Sequence, residues 1–389
     1  MDSGDSGRNG GAETGAIWAI GLMSGTSCDG IDAALIRTDG RSIAEFGPAL
    51  TVPYDSTFRG RLKSCLGLTA RNGGGRVDAV ERELTERHAA AVSQLLHKAG
   101  RKAGEVAVVG FHGQTLHHAP VHKETWQIGD GALLARLTGI AVVNDFRSAD
   151  VAAGGQGAPL VPIYHAALAA ALPKPLAVLN IGGVANVTWI GPSMTSDGGE
   201  AGANLLAFDT GPGNALIDDW VLQHTGHHAD LDGALARQGQ VDAAALARLQ
   251  AEPFFAVTPP KSLDRQHFKV VAAAALAGLI PADGAATLAA FTAWAVGEAR
   301  RHFPAPVQEW LVCGGGRHNP VLMQALRATL QCPVRSANEA GWDGDALEAQ
   351  AFAFLAVRAL RGMPLSFPGT TGVPQPVLGG RRHPVPAAV

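Results

Sequence analysis

Charge is scarce in this chain. Asp, Glu, Lys and Arg make up 17% of its 389 residues and the net charge is -3, which leaves no basic footprint for a nucleic-acid partner. Cysteine is scarcer still. Cys28, Cys65, Cys313 and Cys332 stand far apart and form no CxxC pair, so neither a zinc site nor a disulfide framework is indicated, and a reducing compartment fits. No apolar run is long and charge-free enough to span a membrane. The apolar run Ala16–Met23 has no basic segment before it, which argues against a signal peptide and leaves a cytoplasmic protein as the expectation. A GxSxG elbow is missing, and with it the anchor of a hydrolase triad. His112, His117, His118 and His122 match no zinc spacing and read as a polar ligand loop.

Apolar residues are plentiful at 47%, enough for a large core, and the length suits two lobes. Residues 1–15, small, polar and Gly-rich, read as a disordered tail. The stretch around which the rest is organised is Gly21–Asp32, GLMSGTSCDGID, set between the apolar runs Ala16–Ile20 and Ala33–Ile36. That layout predicts two adjacent strands joined by a Gly-rich hairpin. Its backbone N–H groups can cradle an anion, Ser24, Thr26 and Ser27 add hydroxyls, and Asp29 and Asp32 are candidates for a metal that accompanies phosphate. An ordinary hairpin turn is the alternative. The stretch lacks the Lys of a Walker A loop and the spacing and helix of a dinucleotide fingerprint. A phosphate site in a β-hairpin points to the actin, hexokinase and heat-shock-chaperone type of ATPase fold.

The layout recurs. Leu176–Asn180, Ile181–Asn186 and Val187–Ile190 again read as strand, Gly-rich turn and strand, as a clamp of two similar lobes would need. Between the two units, Val77–Lys98 carries apolar residues at helical spacing, with Gly100 as its stop. Glu105–Phe111 and Gly139–Asn144 are buried-strand runs ending in polar clusters, the site-forming pattern of an open α/β sheet. Asp209 follows the apolar run Leu205–Phe208 and precedes TGPGN, which places a carboxylate at a strand end beside a helix entry. A capping Asp is the alternative there. Trp310–Cys313 is a strand ending in GGGRHNP, with Asn319 and Pro320 opening a helix over Val321–Leu330. Asp345–Arg361 is an apolar helix with one inward acid, Glu348.

GLMSGTSCDGID, FHGQTLHH, WQIGDGALLA (Trp126–Ala135), VVNDFRSADVAAGGQGAPLVP (Val142–Pro162), LNIGGVANVT (Leu179–Thr188), FDTGPGNALID (Phe208–Asp218) and LVCGGG occur in this order. Together they resemble the anhydro-N-acetylmuramic acid kinase family, over nearly the whole chain beyond the tail. The resemblance implies a two-lobed α/β kinase of the actin/hexokinase-like (ribonuclease H-like) ATPase fold with duplicated core sheets. It implies residues 16–144 plus 363–389 as the first lobe and 145–362 as the second. The implied reaction is hydrolysis of the 1,6-anhydro bridge of 1,6-anhydro-N-acetylmuramic acid with ATP-dependent phosphorylation of O6, in peptidoglycan recycling. ATP and Mg²⁺ are the implied cofactors and a homodimer the implied assembly, with no nucleic-acid or membrane partner. Asp209 is the implied catalytic base. ATP binding falls to Gly25, Thr26, Ser27, Cys28, Asp29, Gly30, Ile31 and Asp32, with Gly182, Gly183, Asn186, Gly314, Gly315 and Gly316. Sugar binding falls to His112, Gln114, Thr115, Gln127, Asp145, Arg147, Asn214 and Glu348.

Two positions depart from the pattern. Met23 stands where the wider superfamily usually has Asp, so no metal ligand is assigned, and the family segment PKSTGRExF is PKSLDRQHF here, Pro260–Phe268. The competing functions are another sugar or carboxylate kinase of the same fold, or a non-catalytic ATP-driven clamp. Against the clamp, the chain carries no appended peptide-binding domain, and a clamp would release no phosphorylated sugar.

Overall fold

The computed structural model describes residues 15–25, 27–70, 72–194 and 204–386. The tail, but for Gly15, and Thr26 therefore lie outside the described residues. Two sheets carry the fold. In the first, β1 (Ile17–Ser24), β2 (Gly30–Thr38) and β3 (Ile43–Pro53) run antiparallel. Then β4 (Val108–Ala119) lies parallel to β1, and β6 (Val142–Asn144) parallel to β4. The short strands β5 (Glu124–Ile128) and β12 (Arg381–His383) attach to β4 and β6. In the second sheet, β7 (Leu176–Ile181), β8 (Val184–Ile190) and β9 (Leu205–Pro212) run antiparallel. There β10 (Glu309–Cys313) is parallel to β7, and β11 (Val334–Ser336) parallel to β10. The order β3-β2-β1-β4-β6 is thus repeated as β9-β8-β7-β10-β11. This is the duplicated α/β architecture of the actin/hexokinase-like fold that the two strand-turn-strand units announce.

Local signals set most element ends. Helix Gly74–Ala99 buries Val77, Val80, Leu84, Ala91 and Leu95 at helical spacing against the first sheet, and Gly100 stops it in the left-handed conformation at φ 61°. Helix Pro320–Leu330 opens with Asn319, whose side chain accepts from the N–H groups of Val321 and Leu322. Three Gly-rich or polar stretches differ from the sequence reading. β4 does not end at Phe111 but runs on through the histidines to Ala119, because β5 pairs with its second half. Asn186 is not in the turn, which is confined to Gly182 and Gly183, since Val184–Ala185 pair with β9. For the same reason Asp209 sits inside β9, not at its end, directly across from Asn186.

Helix Leu347–Leu360 lies between the sheets, in a core cluster that takes Ala19, Val108 and Val143 from one and Val178, Ile190 and Leu311 from the other. Its backbone is pressed onto β1 and β4 of the first sheet. A Cβ on Gly21 would sit 1.7 Å from the Ala349 carbonyl oxygen, and one on Gly110 would sit 2.0 Å from that of Phe352. Neither distance can be met by a side-chain shift, because the obstacle is helix backbone. Gly110→Ala is expected to destabilise the fold by about 1–3 kcal/mol through overpacking. A thermal melt checks this; an unchanged Tm would mean that the helix can step away from the sheet.

Candidate functional site

A cavity of about 370 Å³ opens beside this helix. One wall is a row of side chains across four strands of the second sheet. Cys313 pairs with Asn180, Asn180 with Asn186, and Asn186 with Asp209. Residues directly opposite on neighbouring strands share a face, and all four line the cavity. Cys313 donates its S–H to the Leu179 carbonyl at 3.5 Å, and burial followed by the charge of Glu348 pushes its pKa up to about 12. The thiol is therefore a small donor and not a nucleophile.

Asp209 is fixed from two sides. Its N–H donates to the Lys261 carbonyl at 3.1 Å, and its Oδ2 accepts the Leu263 N–H at 2.7 Å. Burial raises its pKa to about 7, against the Leu263 hydrogen bond and the Lys261 charge, which lower it. A carboxyl poised there can take a proton at neutral pH.

The facing wall carries Arg147, Glu348 and Phe352. Glu348 is not enclosed by its apolar helix, as the sequence reading had it; it stands open to the cavity, deep between the sheets. That depth raises its pKa, while Arg147 pulls it down. Arg147 donates from Nε and Nη2 to His112 Nε2 at 3.1 and 3.0 Å, and from Nη1 to the Gly157 carbonyl at 2.7 Å. The His112 Nδ1 lies 2.8 Å from the Gly113 carbonyl, which assigns the proton to Nδ1 and the acceptor role to Nε2. Burial, then the Arg147 charge, keeps this imidazole neutral. His112 thus orients Arg147 from behind.

Among the described residues of the Gly25–Asp32 stretch, only Asp32 lines the cavity. Ser27 and Asp29 accept from Arg59, while Cys28 and Ile31 pack into the core behind the first sheet. Gly182, Asn186, Gly314 and Gly315 line the cavity. Asn214 donates to the Ile181 carbonyl and touches Gly315 and Gly316, so it braces that Gly-rich end, as Gly183 does against Ala215. Gln114 is buried and accepts from Ser24 at 2.7 Å; Thr115 accepts from Gln127 at 3.3 Å. Gln127 and Asp145 line a separate outer pocket of about 330 Å³ with Glu81 and Asp130. Gln114, Thr115 and Gln127 are thus not gathered with Asp209, because β4 and β5 continue as strands past the cavity; Asp145, directly after β6, opens onto the outer pocket.

Sequence reasoning missed His165, Thr188, Asn180 and Asp345, all cavity residues, as is Ser262 of the PKSLDRQHF segment. Asn186 and Thr188 alternate with apolar residues in β8, a period-two signal that marks one face. Asp32 and Asp345 are close enough that the Asp345 charge raises Asp32, although burial is the larger cause. Among the described residues no three His, Cys, Asp or Glu side chains converge as a metal cage. Mg²⁺ held with phosphates needs only one or two carboxylates, and Asp32 and Asp345 fit that more modest role.

The model of the family described as anhydro-N-acetylmuramic acid kinase matches residues 17–384. The chain is 56% identical to the anhydro-N-acetylmuramic acid kinase of Rhodospirillum rubrum over 370 residues, 95% of each chain. It is 57% identical to that of Paramagnetospirillum magneticum over 365 residues, 94% of this chain and 99% of the relative. Among solved structures, a ligand-bound xylulose kinase from Lactobacillus acidophilus aligns with a TM-score of 0.46 at 11% identity, over 94% of this chain and 93% of its own. Matched from β1 to beyond β12 and by close relatives along its whole body, the chain belongs to the anhydro-N-acetylmuramic acid kinase family.

Proposed function

We propose that the protein is an ATP-dependent sugar kinase that hydrolyses the 1,6-anhydro bridge of 1,6-anhydro-N-acetylmuramic acid and phosphorylates O6, giving N-acetylmuramic acid 6-phosphate and ADP. The observation that carries this reading is Asp209, a cavity carboxyl whose pKa burial raises to about 7. Water attacks C1 while Asp209 takes its proton; the C1–O6 bond breaks on the opposite side, as in glycoside hydrolysis by inversion. O6 then bonds to the γ-phosphorus of ATP, and ADP leaves. Arg147 and Glu348 hold the sugar, with His112 fixing Arg147. The Gly-rich turns around Gly25–Asp32, Gly182–Gly183 and Gly314–Gly316 hold the nucleotide. Asp32 and Asp345 would hold Mg²⁺, which when bound would neutralise charge on the phosphates. The setting is the recycling of peptidoglycan sugars in the cytoplasm, by a homodimer.

Turnover in H₂¹⁸O should place one ¹⁸O on C1 of the product and none on its phosphate, read by mass spectrometry. Label in the phosphate would overturn the coupled route. Asp209→Asn should bind both substrates and lose about 10²–10⁴-fold in turnover.

The same carboxyl predicts two pH effects. As a base Asp209 must be ionised, so kcat/KM should fall as pH drops below about 7. For stability the sign is opposite. The folded pKa lies above the unfolded value of about 3.9, so its contribution is full below that value and is lost as pH rises to about 7. Asp209→Asn should therefore melt higher than wild type at pH 8, with the gap closing toward pH 4. Equal melting temperatures at both pH values would place Asp209 in water.

We further read residues 16–144 plus 363–389 and residues 145–362 as lobes that close on their ligands about Asp145–Gly157 and Arg361–Pro368. Small-angle scattering should show compaction with nucleotide and sugar together; an unchanged radius of gyration would count against closure.

A further inference from the structure

One buried group on the cavity wall has no task in the mechanism above. His165, on helix Pro162–Leu168, is 3% exposed and lines the cavity. Its Nδ1 lies 2.9 Å from the Thr188 hydroxyl on β8. Thr188 is two residues along the strand from Asn186, so the ring sits one rung below the row that ends in Asp209. Among the described residues no partner is found for the other ring nitrogen, Nε2. With Nδ1 engaged, Nε2 is the nitrogen left for the cavity. That nitrogen is not sealed in protein, so it is open to an oxygen that enters the cavity.

The chemistry of the missing partner can be narrowed. Leu160, Val161 and Phe352 line the same cavity, and burial holds the imidazole neutral, with its pKa pushed down to about 3. The positive charge of the cavity comes from Arg147. A neutral imidazole between apolar walls suits an uncharged oxygen and leaves a carboxylate to the guanidinium.

We propose that His165 is a specificity-determining residue whose Nε2 hydrogen-bonds an uncharged oxygen of the bound amino sugar, a ring hydroxyl or the acetamide carbonyl. The inference rests on the proposed function and deepens it. Two conservative variants separate the ring nitrogens. The amide nitrogen in H165N falls where Nδ1 was and keeps Thr188 company; that in H165Q reaches the place of Nε2.

Calorimetric titration with 1,6-anhydro-N-acetylmuramic acid should show H165N about 10- to 100-fold weaker than wild type. H165Q should stay within a few-fold, and the affinity for ATP should be unchanged in both. Repeating the titration with an analogue lacking the acetamide distinguishes the two oxygens. If the penalty of H165N vanishes there, the acetamide is the partner; if it persists, a ring hydroxyl is. Unchanged sugar affinity in H165N would overturn the inference while leaving the proposed function standing. Equal losses in both variants, tracking a fall in Tm, would overturn it in favour of core packing. A wild-type chain that binds no anhydro sugar would overturn the proposed function, and this inference with it.

Discussion

The contact on which the site depends is between two glycines and a helix backbone. At Gly21 and Gly110 the first sheet offers no Cβ, and helix Leu347–Leu360 comes down onto β1 and β4 until its carbonyls fill that space. Close approach of this kind maximises dispersion contacts and leaves the helix few alternative positions. Ala349, Ala351, Ala353 and Ala356, all buried, keep the helix slim enough to lie between two sheets. Its N-terminal turn is thereby delivered to the cavity with Leu347 and Glu348. One turn on, the Phe352 ring meets His112 at 4.6 Å and Phe146 at 5.2 Å. Through His112 the same helix governs the direction of Arg147. The acid and the cation of one wall thus share a single mechanical reference.

The opposite wall has a different origin. Its row of polar residues is a property of strand register, with one contribution each from β10, β7, β8 and β9. Two of the cavity acids, Glu348 and Asp209, sit on opposite sides of this division. For Glu348 burial raises the pKa and the guanidinium of Arg147 opposes it. Asp209 has a single backbone N–H on Oδ2 and a more distant ammonium, and burial prevails.

Much of this was legible in the sequence, and the failures have common causes. Hairpins were readable because Gly-rich turns between apolar runs are local signals, and so were the helix ends at Gly100 and Asn319. The motifs identified the family, and with it Asp209, Arg147 and Glu348 as cavity residues. Strand ends were misread wherever glycine or histidine suggested a loop. Pairing partners far along the chain carried β4 on to Ala119 and β9 on to Pro212. Propensity is local, whereas a ladder is decided by its neighbour. Cross-strand register is equally non-local, which is why Asn180, Thr188 and His165 went unnoticed while the glycines beside them did not. The extension of β4 and β5 also explains why Gln127 opens onto another pocket.

The attachment of Asp209 to the segment after Pro260 bears on which residues that segment must keep. Both bonds that hold the aspartate use main-chain atoms, the carbonyl of Lys261 and the N–H of Leu263. Any residue supplies such a carbonyl, and any residue except proline supplies such an N–H. The side chains of Leu263 and Asp264 can therefore be exchanged without touching the bond to the carboxylate. What these two bonds ask of the segment is a backbone path; its side chains enter separately, through the charge of Lys261 and the cavity-lining Ser262.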